Sequence, residues 1–290
     1  MPLAFMIVFG FLNGTAYGLL LFLLASGLTL VFGLLGVLNL AHASFYMLGA
    51  YIAFELVRLT GTFWAALLLA PLIVAAIGAL VERVMLRRVH VLGHGHQLLL
   101  TLGVSYVALE LAKWYWGTAS LPLRPPDLLK GSIDIVVGSY PIYRLFICAA
   151  ALVVLVCLAV ILFKTRLGMI VRASVSDSEM VSALGYNVGN VFTGVFALGA
   201  LLAGVAGVIA APMLSVYPGM AADILVDLFI VVVIGGLGSL PGALLASLML
   251  GWAQSFGILF VPEFAMLFSF ALMVVVLMFR PLGLFGERSA

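Results

Sequence analysis

The sequence predicts an all-α polytopic membrane protein: a transmembrane helical bundle of about eight or nine crossings, with two related halves and glycine-broken helices. Composition is the first observation behind this. The 290 residues are 66% hydrophobic and 8% charged, with a mean hydropathy of +1.33. One soluble core cannot hide that much apolar surface from water. The second is length: uncharged runs of about 20 residues recur, each able to cross roughly 30 Å of hydrocarbon at about 1.5 Å per residue. The third is an internal repeat. Residues 31–51 set against 233–253 are identical at nine of 21 positions, including all three glycines of the first copy (Gly33, Gly36 and Gly49). A transmembrane β-barrel would instead show short segments of alternating polarity, which are absent.

The crossings are expected at 9–33, 38–58, 63–82, 97–116, 142–163, 191–213, 223–236, 240–260 and 262–280. The first run lacks a basic lead-in and a small-residue cleavage site, so it reads as a retained helix and not a signal peptide. The second opens on NLAHASFYMLGAY, four polar groups (Asn39, His42, Ser44, Tyr46) in an apolar setting. The fifth carries Cys148 and Cys157, nine residues apart on one helix and unable to bridge each other. The seventh is short and begins with Asp223 and Asp227; as a half-helix it would leave eight spans plus a re-entrant piece. Those two carboxylates share a helix face. They are expected at the outer interface, with a pathway-facing position as the alternative, because a charge in hydrocarbon costs about 2.5–3.5 kcal/mol. Glu82 beside Arg83, and Glu110 near Lys113, read as helix-end charges that snorkel or pair.

Charge then orients the chain. The stretches 83–96, 164–190 and 280–290 hold eight of the 13 Lys and Arg residues. The positive-inside rule puts these in the cytoplasm and the Pro/Gly-rich stretch 117–141 outside. Nine spans then give an N-terminus outside and a C-terminus inside. The net charge of +2 carries no nucleic-acid signal. His90, His94 and His96 suggest a metal cluster, but no Cys or carboxylate completes it within the loop, so no metal site and no cofactor are expected in this chain.

Duplicated halves with interrupted hydrophobic segments are a usual build of transport proteins, and the interruptions mark the central pathway. Gly33, Gly36, Gly235, Gly236, Gly238 and Pro241 weaken or break a helix. Backbone freed at membrane depth must be satisfied by protein or by a water-filled cavity. Asn39, His42 and Ser44 with Gly235, Gly236 and Gly238 are therefore the candidate pathway residues. For each one, the plainer role is capping or close helix packing. The loop 164–190 reads as a short helix, a polar break from Ser174 to Ser178, a second short helix capped by Asp177 or Ser176, and a Gly-Tyr-Asn turn. It is too long for a simple connector. Its apolar positions Met180, Val181 and Leu184 beside charges suit docking on a soluble partner; a helix lying on lipid headgroups is the alternative.

Four stretches carry a family resemblance: NGTAYGLLLFLLASGLTLVFGLLGVLNLAHASFYMLGAY, TRLGMIVRASVSDSEMVSALGYNV, IGGLGSLPGALL and RPLGLFG. In this order they span nearly the whole chain. The sequence resembles the membrane permease subunits of branched-chain amino-acid ABC importers. The family commonly reads NLAHG where this chain has Asn39 to Ala43, and its loop is more basic around Asp177 and Glu179, where serines stand here. The resemblance implies that this chain forms half of a translocation pathway with a second permease chain, the same or different. It also implies two ATPase subunits docking on the loop (Arg172, Asp177, Glu179, Met180, Ala183, Leu184 and Gly185), a periplasmic or extracytoplasmic binding protein, and residence in a bacterial inner membrane. The chain contains no phosphate-cradling GxxxxGK[ST] motif, so ATP hydrolysis is expected from a separate subunit and this chain is not expected to be an enzyme. The other reading of the residues is an ATP-independent secondary transporter or channel for a small polar solute. An intramembrane enzyme would need a nucleophile–base or paired-acid arrangement in the spans, and none is assembled there.

Overall fold

The computed structural model describes residues 3–36, 39–135 and 138–286. Leu38, where the second crossing is expected to begin, and Arg288 of the tail lie outside the described residues, as does the side chain of Ser176. Twelve helices follow in order among them: α1 (Leu3–Leu35), α2 (His42–Thr60), α3 (Phe63–Val81), α4 (Arg87–Val89), α5 (His94–Trp116), α6 (Ile142–Lys164), α7 (Arg166–Ser176), α8 (Ser178–Ala183), α9 (Val188–Leu214), α10 (Met220–Gly235), α11 (Leu240–Phe260) and α12 (Ala265–Phe279). Strands β1 (Ser132–Ile135) and β2 (Gly138–Pro141) pair antiparallel between α5 and α6.

A helix covers each of the nine expected crossings. Among the described residues, seven helices are long and apolar enough to span a membrane; α2 and α10 are not among them. The reasons differ. At 16 residues, α10 is too short. The α2 helix carries His42, Ser44, Glu55 and Arg58, yet it is wrapped by α3 and α9 and faces lipid on little of its surface. Among those seven, the most buried are α1, which lies along α11 and α9, and α9, which also packs on α2 and α3. On the periphery, α5, α6 and α12 turn Trp114, Val153, Met266 and Phe279 outward. Apolar side chains on every face suit a helix whose outer side meets hydrocarbon.

The contacts define two ends. At one, the start of α1 meets the hairpin: the Phe9 and Tyr140 rings are 5.8 Å apart, and Arg144 donates to Asn13. A bridge between Leu121 and Val216 ties the α9–α10 link to the same end. At the other end lie the C-termini of α1 and α10 and the chain's own tail. The α10 helix leaves carbonyls without intrahelical partners, and the tail supplies donors: Leu284 N–H to Ile234 at 2.8 Å and Phe285 N–H to Gly235 at 3.1 Å.

The two copies of the repeat run the same way. Gly14 lies against Gly251 and Gly18 against Ser247, so α1 is antiparallel to α11, which is itself antiparallel to α10. The breaks meet, with the Gly33 and Gly238 backbones in contact. They are not equivalent, however. The second is a tight turn, with Gly236 and Gly238 at φ +94° and +87°. The first returns the chain into the bundle: His42, which opens α2, touches the Leu24 carbonyl, 11 residues before the end of α1. That is a depth of about 16 Å at 1.5 Å per residue.

The stretch 83–96 departs from a loop. Helix α3 continues through a π-helical turn (Glu82–Leu86) into α4. Glu82 is neither snorkelled nor paired with Arg83. It is buried, and it accepts a hydrogen bond from Thr193 of α9. The widened π turn rotates the carboxylate toward α9 and away from the headgroup level. Glu110 does pair with Lys113, at 2.7 Å.

Candidate functional site

The sequence-derived pathway residues fall in two places. Asn39 and His42 sit at depth where α2 begins, and both are fully buried. The Asn39 side-chain oxygen accepts the Ala41 N–H at 3.0 Å, closing the turn that starts α2. The His42 Nε2 lies 3.0 Å from the Leu24 carbonyl oxygen. A carbonyl only accepts, so Nε2 carries the proton, and Nδ1 has no partner among the described residues. The imidazole fits because Gly27 leaves room: a Cβ there would come 2.9 Å from the His42 ring and 2.7 Å from the Gly199 carbonyl oxygen. Ser44, two residues on and therefore on the other side of α2, lines a cavity of about 290 Å³ between α2, α5 and α10. Gly235, Gly236 and Gly238 are at the tail end of the bundle, brought together with Gly33 and not with Asn39, His42 or Ser44.

The larger polar feature lies at the hairpin end. A cavity of about 660 Å³ opens between α1, α2, α10, α11 and α12. Its polar lining includes Tyr17, Tyr46, Tyr217, Asp223, Asp227 and Gln254. Leu214, Met220, Val226, Ile258, Met266 and Phe270 form an apolar wall. Asp223 and Asp227 therefore occupy the outer turns of α10 and face an internal space at once. Asp227 is the anchored one: Tyr17 Oη donates to it at 2.7 Å, and Gln254 Nε2 approaches both its oxygens at 2.9 Å. Gln254 also donates to Ser269 Oγ at 3.1 Å, joining α10, α11 and α12. Among the described residues Asp223 accepts only from Tyr217 Oη, at 2.5 Å. Tyr217 follows Ser215, whose φ of +63° turns the chain sharply out of α9; the adjoining Val216 is fixed by its pairing with Leu121. The hydrogen bond to Asp223 comes first, and burial second, in pushing the Tyr217 hydroxyl up to about 12.

Sequence reading placed the two carboxylates on one face but missed Tyr17, Tyr217 and Gln254. Tyr17 and Gln254 lie 210 and 27 positions from Asp227, beyond any local spacing signal, while Tyr217 reaches Asp223 from six positions away only through the turn out of α9. Among the described residues, no three His, Cys, Asp or Glu side chains group as a metal site.

The loop between α6 and α9 forms two short helices, but the break expected from Ser174 to Ser178 narrows to Asp177, because α7 runs on through Ser176 and Ser178 opens α8. Asp177 caps α8 by accepting the Met180 N–H at 2.8 Å, and Gly185 ends it at φ +88°. Met180 and Leu184 project outward, as do Asp177, Glu179 and Ala183. Val181 departs from the expected docking set: it is buried against the protein, because helical spacing carries it to the face opposite Glu179. The Arg172 guanidinium lies over the Phe163 ring, 5.4 Å from its centroid.

A buried helical pair at the centre, lipid-facing helices around it, paired helix breaks and an end-opening polar cavity define a multi-pass membrane permease. Residues 10–277 match the family described as branched-chain amino acid transport system / permease component, and the chain belongs to that family. It is 32% identical to the high-affinity branched-chain amino acid transport system permease protein BraD of Pseudomonas aeruginosa, over 95% of this chain and 94% of that protein. The corresponding LivH protein of Escherichia coli is 31% identical over 95% of this chain and 94% of its own length. A probable LivH of Methanocaldococcus jannaschii is 25% identical, covering 93% and 90%. No solved structure matches.

Proposed function

We propose that this chain is the membrane subunit of an ATP-driven importer for branched-chain or chemically related amino acids, forming half of the pathway with a second permease chain. The observation that carries the proposal is the exposed α8 surface. A capped helix presents Met180 and Leu184 to the surroundings beside Asp177 and Glu179, on a loop that also holds Lys164, Arg166 and Arg172. Exposed apolar side chains amid charges on an ordered connector suit a soluble partner. Two ATPase subunits would dock there, one on each permease chain. The hairpin end would lie outside and receive the amino acid from an extracytoplasmic binding protein; the α8 end would be cytoplasmic, in a bacterial inner membrane.

The alternative, ATP-independent transport, draws on one observation: Asp227 is an ionisable group within a helix and facing a cavity. One experiment separates the two. The chain is purified with its neighbours and reconstituted, and leucine uptake is followed with and without ATP hydrolysis. ATPase subunits that co-purify and uptake that stops with hydrolysis support the importer. Uptake that persists on an ion gradient alone supports the carrier. Within the importer, Leu184→Glu is expected to leave insertion intact and uncouple hydrolysis from uptake; normal uptake would place docking elsewhere.

A further inference from the structure

We infer that the hairpin-end cavity holds an amino-acid subsite in which Asp223 takes the α-ammonium and Tyr46 the α-carboxylate of the transported solute. The inference deepens the reading of this chain as an amino-acid permease and rests on it for the identity of the ligand.

Three carboxylates line the cavity; Glu263 is exposed on the turn between α11 and α12, and the two on α10 differ in what they have left to offer. A carboxylate accepts at about four positions. On Asp227 three contacts from Tyr17 and Gln254 already take three of these positions, and the residue ties three helices together. Asp223 has the single Tyr217 donor, is exposed to the cavity, and keeps acceptor positions for a further donor. A primary ammonium brings three donors and a full charge, the strongest complement such a group can meet.

Tyr46 supplies a second, independent observation. Its side chain is 1% exposed and lines the cavity. Among the described residues its hydroxyl makes no hydrogen bond, and it shares the cavity lining with Tyr217 and Asp223. A buried phenol normally has a partner. Here the open direction is the cavity, so a bound acceptor completes it. A donor and a carboxylate with open acceptor positions, lining one cavity, match the two ends of a zwitterion. Beyond them the wall of Val226, Ile258, Met266 and Phe270 suits an aliphatic side chain. The volume of about 660 Å³ lies within the range of small-molecule sites, about 300–1,000 Å³.

The test is ligand-observed saturation-transfer NMR on the full chain in nanodiscs, with three probes sharing one carbon skeleton. L-leucine has both charged ends, isoamylamine only the ammonium, and 4-methylpentanoate only the carboxylate. Leucine is expected to bind best, isoamylamine next and 4-methylpentanoate least. Asp223→Asn should weaken leucine and isoamylamine by about tenfold or more, the scale of a charged hydrogen bond. Tyr46→Phe should weaken leucine and spare isoamylamine. It removes a hydroxyl that makes no hydrogen bond among the described residues, so the fold is retained even if Asp223→Asn proves unstable. Equal binding of isoamylamine and 4-methylpentanoate, no binding of either ammonium probe, or loss of isoamylamine binding in Tyr46→Phe would overturn the assignment. The assay contains no ATP and no partner, so it stands if the importer reading fails. If the importer reading holds while the amine preference is missing, only this assignment falls.

Discussion

Gly207 of α9 faces the backbone of α2, and a Cβ there would come 2.0 Å from the Tyr46 carbonyl oxygen. Backbone cannot swing aside as a flexible side chain can. Gly207→Ala must therefore push α2 off α9, at a cost typical of overpacking, about 1–3 kcal/mol. The thermal midpoint of the purified chain should fall, and because Tyr46 lines the cavity, leucine binding should weaken with it. An unchanged midpoint would mean the helix contact is slack. Tyr217 gives a pH prediction. Its raised folded-state value means that its contribution is complete below the ordinary tyrosine value of about 10 and is lost as pH rises through about 12. At neutral pH it remains a neutral donor to Asp223. Phenolate absorbance, read as the difference between wild type and Tyr217→Phe, should titrate near 12. In Asp223→Asn it should move back toward about 10. A midpoint that does not move would remove Asp223 as the cause. The helical spacing of Asp223 and Asp227 was legible because it is local. The role of Tyr17 was not, since only the packing of α1 on α10 and α11 brings its hydroxyl to Asp227.

At the level of elements, the glycine-broken segments were legible because a helix cannot absorb Gly236 and Gly238 at positive φ without ending. What the repeat concealed is that its copies end differently. Copy two turns tightly into α11, with Ser239 capping through Gly242 N–H at 3.2 Å. Copy one carries Asn39 and His42, polar groups able to satisfy backbone deep in the bundle, and so it can re-enter. Pro241 and Leu244 of the second copy, at the positions matching Asn39 and His42, have no such groups. The tail is the remaining support of the second break, through Leu284 and Phe285. A chain stopped after Leu282 loses two hydrogen bonds worth about 0.5–1.5 kcal/mol each, together with the packing of Gly283 and Gly286 on Gly236. Limited proteolysis should then cut between α10 and α11 at protease levels that leave the full chain whole. Equal resistance would show that the Gly33–Gly238 contact holds the break unaided.

For the whole molecule, the two ends differ in charge in a way that fixes how the bundle sits. The α8 end gathers Arg87, Arg88, Lys164, Arg166, Arg172 and Arg280, while the acids on its connector are Asp177 and Glu179. At the hairpin end Lys130 pairs with Asp127, whose carboxyl the lysine holds below its ordinary value, and Asp134 accepts from Ser139 at 2.6 Å. Moving the α8 end across a membrane would carry several Lys and Arg in short connectors, which the positive-inside rule opposes. The hairpin end should therefore face out and the α8 end the cytoplasm. Native Cys148 and Cys157, both free, are first replaced by alanine. Single cysteines are then placed at the exposed Ser132 of β1 and the exposed Ser178 of α8. A membrane-impermeant maleimide added to intact cells should label Ser132→Cys at once and Ser178→Cys only after permeabilisation. The reverse pattern would put the polar cavity on the cytoplasmic side. A solute meeting Asp223 there would be leaving the cell, and the direction of transport proposed here would be wrong even with the subsite intact.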